Sequence, residues 1–563
     1  MKTVKLPFLN LLTIFCLGVF TIFNGCKNPA EGIKITTKSG FLKNQMLIQF
    51  VNAKESSLKQ PATFELLVSG KNANGIYTSG GKKQLMVYNG VITLAMLESV
   101  QPSEGNPIEF TIYGKPEGFS PVSKTFVITK NEPSEHIITL VDYSDPSEGT
   151  ASIVSTVNID TNGTIPETKI VIPTTPETPL KSEVKVKEGT SFISVDGDTL
   201  KGDNLKSEII YHSTLTQGSL NTFPGGFNPE NIQGPTGPIE GGGTFTTAGF
   251  FSIDMKVGGK DVKSFTEPLE IKAEVADNIS NPETGNPIKE GDSIPTWSLN
   301  EETGEWNFEG NAILVKNANG KLEAQFEAAH LSAWNIDFIA TRCNNPLSVT
   351  FLLTGSTTPT QYPVWLVRPN GDYLSNLYSS SAGFSSQSTI FNGKVDVISI
   401  NPNLQARIVV LKNRFGTAKD PNNIIAQTAL FNPCSQGSIT VTIPQAAPTS
   451  PTLAVDVNTL VYCQKKKNNV LYTGYFSVRE KTAATNTAQN YYMVDGALSF
   501  ASLKEGVTYV ISTVYEGKTY NSEFTVDKNN SILPVISGLT GTTTYVPATN
   551  KLKIDLRFST PEC

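Results

Sequence analysis

Few side chains in this 563-residue chain are of a kind and spacing to do chemistry. It has three histidines, His136, His212 and His330, and they fall in separate segments. A hydrolytic site needs a nucleophile with its base, a metal cage, or paired carboxylates in a cleft. No Gly-x-Ser-x-Gly elbow, His-Glu-x-x-His pair or Cys-x-x-Cys clamp occurs. Gly517-Lys518-Thr519 imitates the end of a phosphate loop, but Ser512 stands where the first glycine is required. Asp196, Asp198 and Asp203 lie in Asp-Gly-Asp-Thr-Leu-Lys-Gly-Asp, where clustered carboxylates could hold calcium through hard oxygen ligands. Turns favour aspartate for local hydrogen bonding as well, so both readings stand, and no metal or soluble cofactor is the primary expectation. The inventory points away from an enzyme.

The first residues carry a clearer message. Lys2 and Lys5 precede a mostly apolar run from Phe8 to Phe23, and the small Gly25 precedes Cys26, the pattern of a secretory signal. The run is shorter than the roughly 20 residues of a spanning helix, and no later stretch approaches that length. Phe23-Asn24-Gly25-Cys26 resembles a bacterial lipobox, with Phe where that family prefers Leu. The resemblance implies cleavage before Cys26 and covalent lipid on its sulfur, with the membrane as partner through several acyl chains. Lys27, in place of an aspartate that retains lipoproteins on an inner membrane, points towards the outer one.

Removing the signal takes two lysines from a formal charge of −6 and leaves −8, which argues against a nucleic-acid partner. Cys16 leaves with the signal, so Cys343, Cys434, Cys463 and Cys563 remain, with three possible pairings. Cys343 with Cys434 and Cys463 with Cys563 would each bracket one C-terminal module. Each pairing closes a loop of roughly 90 to 100 residues and could stabilise by about 4 kcal/mol. A Cys434–Cys463 link with two free thiols is the alternative.

The elements that must position these residues read as strands. With 45 Gly, 34 Pro and 17% charged residues, composition suits short strands and many turns. The expected class is all-β, a tandem of Ig-like or transthyretin-like sandwiches behind a lipoprotein signal peptide. Expected units are the signal at 1–25, a lipid-anchored tether at 26–33, and an antiparallel seven-stranded sandwich at 34–145. A Thr/Pro-rich linker at 146–180 follows, in which 153–159 and 168–172 could open the next module. A central module at 181–340 and sandwiches at 341–444 and 445–563 complete the chain. Gly118-Phe119-Ser120-Pro121 before Phe126-Val127-Ile128 looks like the carboxypeptidase regulatory-like (transthyretin-like) family, and the last two modules resemble it in general plan.

The central module carries Phe223-Pro224-Gly225-Gly226-Phe227, Gly291-Asp292-Ser293-Ile294-Pro295-Thr296-Trp297-Ser298, Thr303-Gly304-Glu305-Trp306 and His330-Leu331-Ser332-Ala333-Trp334-Asn335-Ile336-Asp337. This ensemble resembles a module of bacterial surface proteins and of cartilage intermediate layer protein, and more remotely the ZU5 domain. Trp297, Trp306 and Trp334 are expected in a shared core. The resemblance also implies a sharper possibility, because His330-Leu331-Ser332 matches the tripeptide at which ZU5-related and GAIN domains cut themselves. There the histidine takes the hydroxyl proton and the oxygen attacks the preceding carbonyl in a strained turn, so cleavage would fall between Leu331 and Ser332.

The function expected from all this is a non-enzymatic, membrane-anchored surface or periplasmic binding or scaffold lipoprotein with an unknown protein or glycan ligand. The alternative is a self-cleaving module, or an accessory subunit of a glycan-handling complex, for which Tyr362, Tyr373, Tyr378, Tyr491 and Tyr492 are the candidate stacking aromatics.

Overall fold

The computed structural model describes residues 36–561 apart from breaks, the longest at 342–346, 355–363, 379–392, 396–404, 413–417, 445–450 and 483–487. The leader, Cys26, Cys343, Cys434 and Cys563 therefore lie outside the described residues. Among the described residues nearly every element is a strand, and the fold is all-β. Among the described residues no helix is long and apolar enough to cross a membrane.

The first sandwich pairs two four-stranded sheets. One contains Leu42–Asn52, Ile76–Thr78, Val91–Leu97 and Ser134–Leu140; the other contains Phe64–Ser69, Leu85–Val87, Ile108–Gly114 and Val122–Ile128. Strict alternation in Ile108–Gly114 turns Ile108, Phe110 and Ile112 onto Met46, Ile48 and Phe50, which is how a half-buried strand makes a core. The sandwich is not wholly antiparallel: Leu42–Asn52 runs parallel to Ser134–Leu140. The same holds for Leu347–Thr354 with Ser438–Pro444, and for Thr452–Cys463 with Lys551–Thr560. Alternation reports which face is buried and is identical for either neighbour direction, so this pairing was not readable from the pattern.

The central unit is one 14-stranded sheet rolled around its own apolar face. Residues from both ends of the strand order, Ala151 and Ile170 with Ile172, share a core with Ile209, Phe251, Ile271 and Trp334. The segment 146–180 is not a linker. Thr150–Asn158 pairs over its whole length with Asn204–His212, and Thr168–Ile172 pairs with Ser182–Val186. Among the described residues the proline-bearing stretch between Thr168–Ile172 and Ser182–Val186 carries no strand, because proline cannot donate to a ladder.

Trp334 sits in that inner core, whereas Trp297 and Trp306 occupy a second cluster with Phe223, Phe245 and Phe250. The expected shared core is thus two cores on opposite faces of one sheet. Trp297 pairs with Asn335, so Trp334, one residue away, must point to the other side. The second face is covered by the excursion 213–242, which includes the short helix Gln217–Leu220 and seats Phe223 and Ile232 on the sheet.

Candidate functional site

Three places gather polar side chains: the corner holding the His-Leu-Ser tripeptide, the buried polar face beneath the 213–242 excursion, and the seam between the first and central units.

The tripeptide links the strands Leu322–His330 and Ala333–Thr341, which are separated in the sheet by two others. His330 Nε2 lies 3.2 Å from Glu309 Oε1, and Ser298 donates to the same oxygen at 2.6 Å. Burial alone would raise the Glu309 carboxyl, but the bonds from His330 and Ser298 hold it below its ordinary range. This is the base and its orienting carboxylate of an acid–base relay. The nucleophile is not joined to them: the Ser332 hydroxyl is buried and donates to the Leu299 carbonyl, with Ala333 O at 3.1 Å. Leu331 N–H is tied to Lys263 O at 2.9 Å, and none of the three residues takes a left-handed backbone. The imidazole packs on Trp334 with centroids 5.2 Å apart. The observed arrangement fastens a corner and lacks the strained, hydroxyl-to-imidazole geometry that self-cleavage demands.

On the covered face, one row across the strands reads His212, Phe250, Asn335, Trp297. His212 stacks on Phe250 at 4.1 Å, and its Nδ1 meets Thr222 Oγ1 at 2.8 Å; burial drives the imidazole down to about 3, so it is neutral. Asn335 and Asp337 are fully buried, and neither Asn335 amide atom nor either Asp337 carboxyl oxygen makes a hydrogen bond of ordinary geometry. Burial raises the Asp337 carboxyl well above its usual range, and neighbouring Thr247 and Asn335 offset this only in part. Contrast Glu274, equally buried but receiving Lys181 N–H at 3.1 Å and Asn317 Nδ2 at 2.7 Å. Asn335 and Asp337 had no role in the sequence reading, because their alternation with Trp334, Ile336 and Phe338 is that of a solvent-facing edge.

This carries a stability prediction with a definite sign. A carboxyl whose folded pKa is raised keeps its proton in the fold and loses it when unfolded, so its penalty is absent below the ordinary aspartate range and grows as pH rises through it. Asp337→Asn is therefore expected to stabilise the chain by about 1–3 kcal/mol at neutral pH and to be near neutral in acid. Urea unfolding at the two pH values tests this; an equal effect at both would be against it.

At the seam, the hairpin between Ser293–Asn300 and Glu305–Lys316 seats its tip on the outer face of the first sandwich. Three consecutive carbonyls accept three hydroxyls: Ser123 to Glu301 O at 2.7 Å, Ser69 to Glu302 O, and Thr111 to Thr303 O at 3.0 Å. Lys115 adds an ion pair to Asp254 at 3.0 Å. Burial alone would lower the Lys115 amine, but Asp254 and Tyr113 hold it above its ordinary range. Gly225 N–H donates to Ser123 O at 3.1 Å, and Ala53, Val141, Tyr143 and Ile210 form a small apolar cluster across the join. No sequence motif announced these hydroxyls.

The remaining candidates do not converge. Asp196, Asp198 and Asp203 are exposed; Ser194 N–H donates to Asp198 O, and Ile159 N–H to Asp203 O. Among the described residues no group of three or more His, Cys, Asp or Glu could hold a metal ion. Tyr491 packs on Phe500 at 4.6 Å and Tyr492 on Tyr475 at 5.0 Å, so both rings are engaged within the protein; Tyr362 lies outside the described residues. His136 Nε2 meets Ser134 Oγ at 3.1 Å, and burial, then Lys124, drives the ring down to about 3. Cys463 is buried and disulfide-bonded, and its partner lies outside the described residues.

The chain is an all-β protein of tandem sandwiches around a rolled central sheet. No protein-family model matches it, and no curated protein matches it. Among solved structures it is similar to the C-terminal fragment of the pilus adhesin SpaC of Lactobacillus rhamnosus GG, at 10% identity over 38% of this chain and 97% of that one, with a TM-score of 0.14. It is also similar to the longer SpaC structure, at 8% identity over 88% of this chain and 56% of that one, TM-score 0.15. The major pilin subunit BcpA of Bacillus cereus follows, at 8% identity over 92% of this chain and 99% of that one, TM-score 0.14. At these scores the likeness carries no argument about what this chain does.

Proposed function

We propose that the protein is a non-enzymatic lipoprotein, anchored through lipid on Cys26, whose sandwiches act as a surface or periplasmic scaffold for binding. The observation that carries the scaffold reading is the seam. Three aligned hydroxyl-to-carbonyl bonds and a Lys115–Asp254 pair hold two units in one orientation, which is what a rigid support needs and a catalytic site does not. The residues that could have done chemistry support it too, since His212, Trp297, Trp306 and Trp334 are spent in packing. The anchor rests on the leader and its lipobox-like end, and several acyl chains make such anchoring effectively permanent.

Labelling growing cells with radioactive palmitate tests the reading. The label is expected on the intact chain in the membrane fraction, as one band on denaturing electrophoresis, and Cys26→Ser is expected to lose it. An unlabelled, soluble wild-type chain overturns the anchor. A band cut between Leu331 and Ser332 would instead favour a self-processing module.

A further inference from the structure

The C-terminal sandwich returns to the first described strand of the chain. Thr36–Lys38 forms a short strand added in parallel to the edge of the C-terminal sandwich, with Thr36 beside Asn469, Thr37 beside Val470 and Lys38 beside Leu471. A second set of contacts places the same two regions together. Gln45 Nε2 donates to Thr473 O at 3.3 Å, and the Tyr475 hydroxyl donates to Ser134 O at 2.6 Å. The C-terminal sandwich is therefore tied to the segment that follows Cys26.

Reach then sets a limit. Thr36 is ten residue steps beyond Cys26, and an extended chain spans at most about 3.3–3.6 Å per step, so Thr36 lies within about 35 Å of Cys26. Neighbouring strands lie about 4.8 Å apart, so the hairpin whose second strand begins at Asn468 is held beside Thr36. The tip of that hairpin is Gln464-Lys465-Lys466-Lys467. All three lysines are exposed, and none has an ion-pair partner among the described residues. Lys467 takes a left-handed backbone with φ 53°, which makes the turn tight and displays its neighbours outward. Directly below the tip, Tyr462 is 42% exposed, across from Asn469 on one side and Ser559 on the other. Three adjacent cations without an ion-pair partner among the described residues stand beside an exposed tyrosine, on a chain whose formal charge is −6.

We propose that Lys465, Lys466 and Lys467, with Tyr462, form a membrane-seating surface that rests on anionic phospholipid headgroups of the leaflet carrying the anchor. Polybasic segments next to a membrane gain about 1 kcal/mol per lysine, and a tyrosine ring suits the headgroup level. The lipid on Cys26 would hold the chain to the membrane and this tip would orient it, with the C-terminal sandwich lying low instead of projecting. The seating rests on the anchored reading for its biology, and its physics can be measured without the anchor.

The test uses the full mature chain made with Cys26→Ser, so that no acyl chain is present, and co-sedimentation with phosphatidylcholine vesicles with or without phosphatidylglycerol. Binding is expected only with phosphatidylglycerol and is expected to fall away in high salt. Lys465→Ser, Lys466→Ser and Lys467→Asn together are expected to weaken it about a hundredfold. Asparagine suits the left-handed position, and Lys466→Glu alone serves as a second variant, with a loss of roughly tenfold or more. Equal binding to both vesicle types, or binding that survives in the variants, overturns the proposal. A failure of palmitate labelling would leave this result untouched, so the two readings fail separately.

Discussion

A Gly304→Val chain is expected to lose the docking of the central unit on the first sandwich and to unfold in two separated steps. Gly304 sits at the hairpin tip with φ 72°, a left-handed conformation that costs a side chain roughly 1–2 kcal/mol. The space is also occupied. A Cβ on Gly304 would stand 2.2 Å from Thr125 Oγ1 and 2.8 Å from Thr111 Oγ1, two hydroxyls already bonded to each other at 2.8 Å. The tip would have to withdraw, and the three carbonyls at 301–303 would lose their hydroxyl donors, each bond contributing about 1 kcal/mol. Together the loss is on the order of 3–5 kcal/mol at the seam. Calorimetry should show the split transition and small-angle scattering a larger radius, while Ser123→Ala should cost only about 1 kcal/mol. A valine chain that scatters and melts like the wild type would show that the seam does not hold the units.

The second large effect is expected at Trp306, whose removal should open the excursion 213–242. Its indole is fully buried, with Phe245 at 5.0 Å and Phe223 at 6.0 Å, and Gly225 closes over its Nε1. Emptying a tryptophan site in a core costs about 3–5 kcal/mol, because the surrounding side chains relax only partly into the cavity. That is a large share of a typical domain's stability. Trp306→Ala should therefore shift urea unfolding by that amount and admit protease within 213–242, since Phe223 and Ile232 lose the surface they sit on. Trp306→Phe should be much milder. The indole N–H has no hydrogen-bond partner, so phenylalanine gives up area but also removes an unsatisfied buried donor. Alanine within about 1 kcal/mol of the wild type would mean the excursion does not depend on this ring.

Much of the fold could be read directly, and the misses have identifiable causes. Strands such as Thr452–Cys463 bury every second side chain, as period two in the sequence requires. The 146–180 segment reads as a linker because prolines and threonines dominate its composition, whereas its runs at 153–159 and 168–172, offered by the sequence as opening strands, are indeed paired into the central sheet. Asp337 was not legible at all. Its alternation is that of a strand with one polar face, but the excursion 213–242, far away in sequence, folds over that face and the carboxyl is buried. The His330 tripeptide was legible as a motif; its chemistry depended on where Ser332 donates, which only the neighbouring Leu299 carbonyl decides.

The order of residues was therefore enough for the all-β class and the strand faces, because these depend on local periodicity and turn chemistry. Which strands lie side by side, which polar groups end up dry, and that residues 36–38 and 468–471 share a sheet edge were decided by the tertiary structure. Those outcomes depend on contacts between segments hundreds of residues apart, and a local pattern is the same whichever distant partner arrives to cover it.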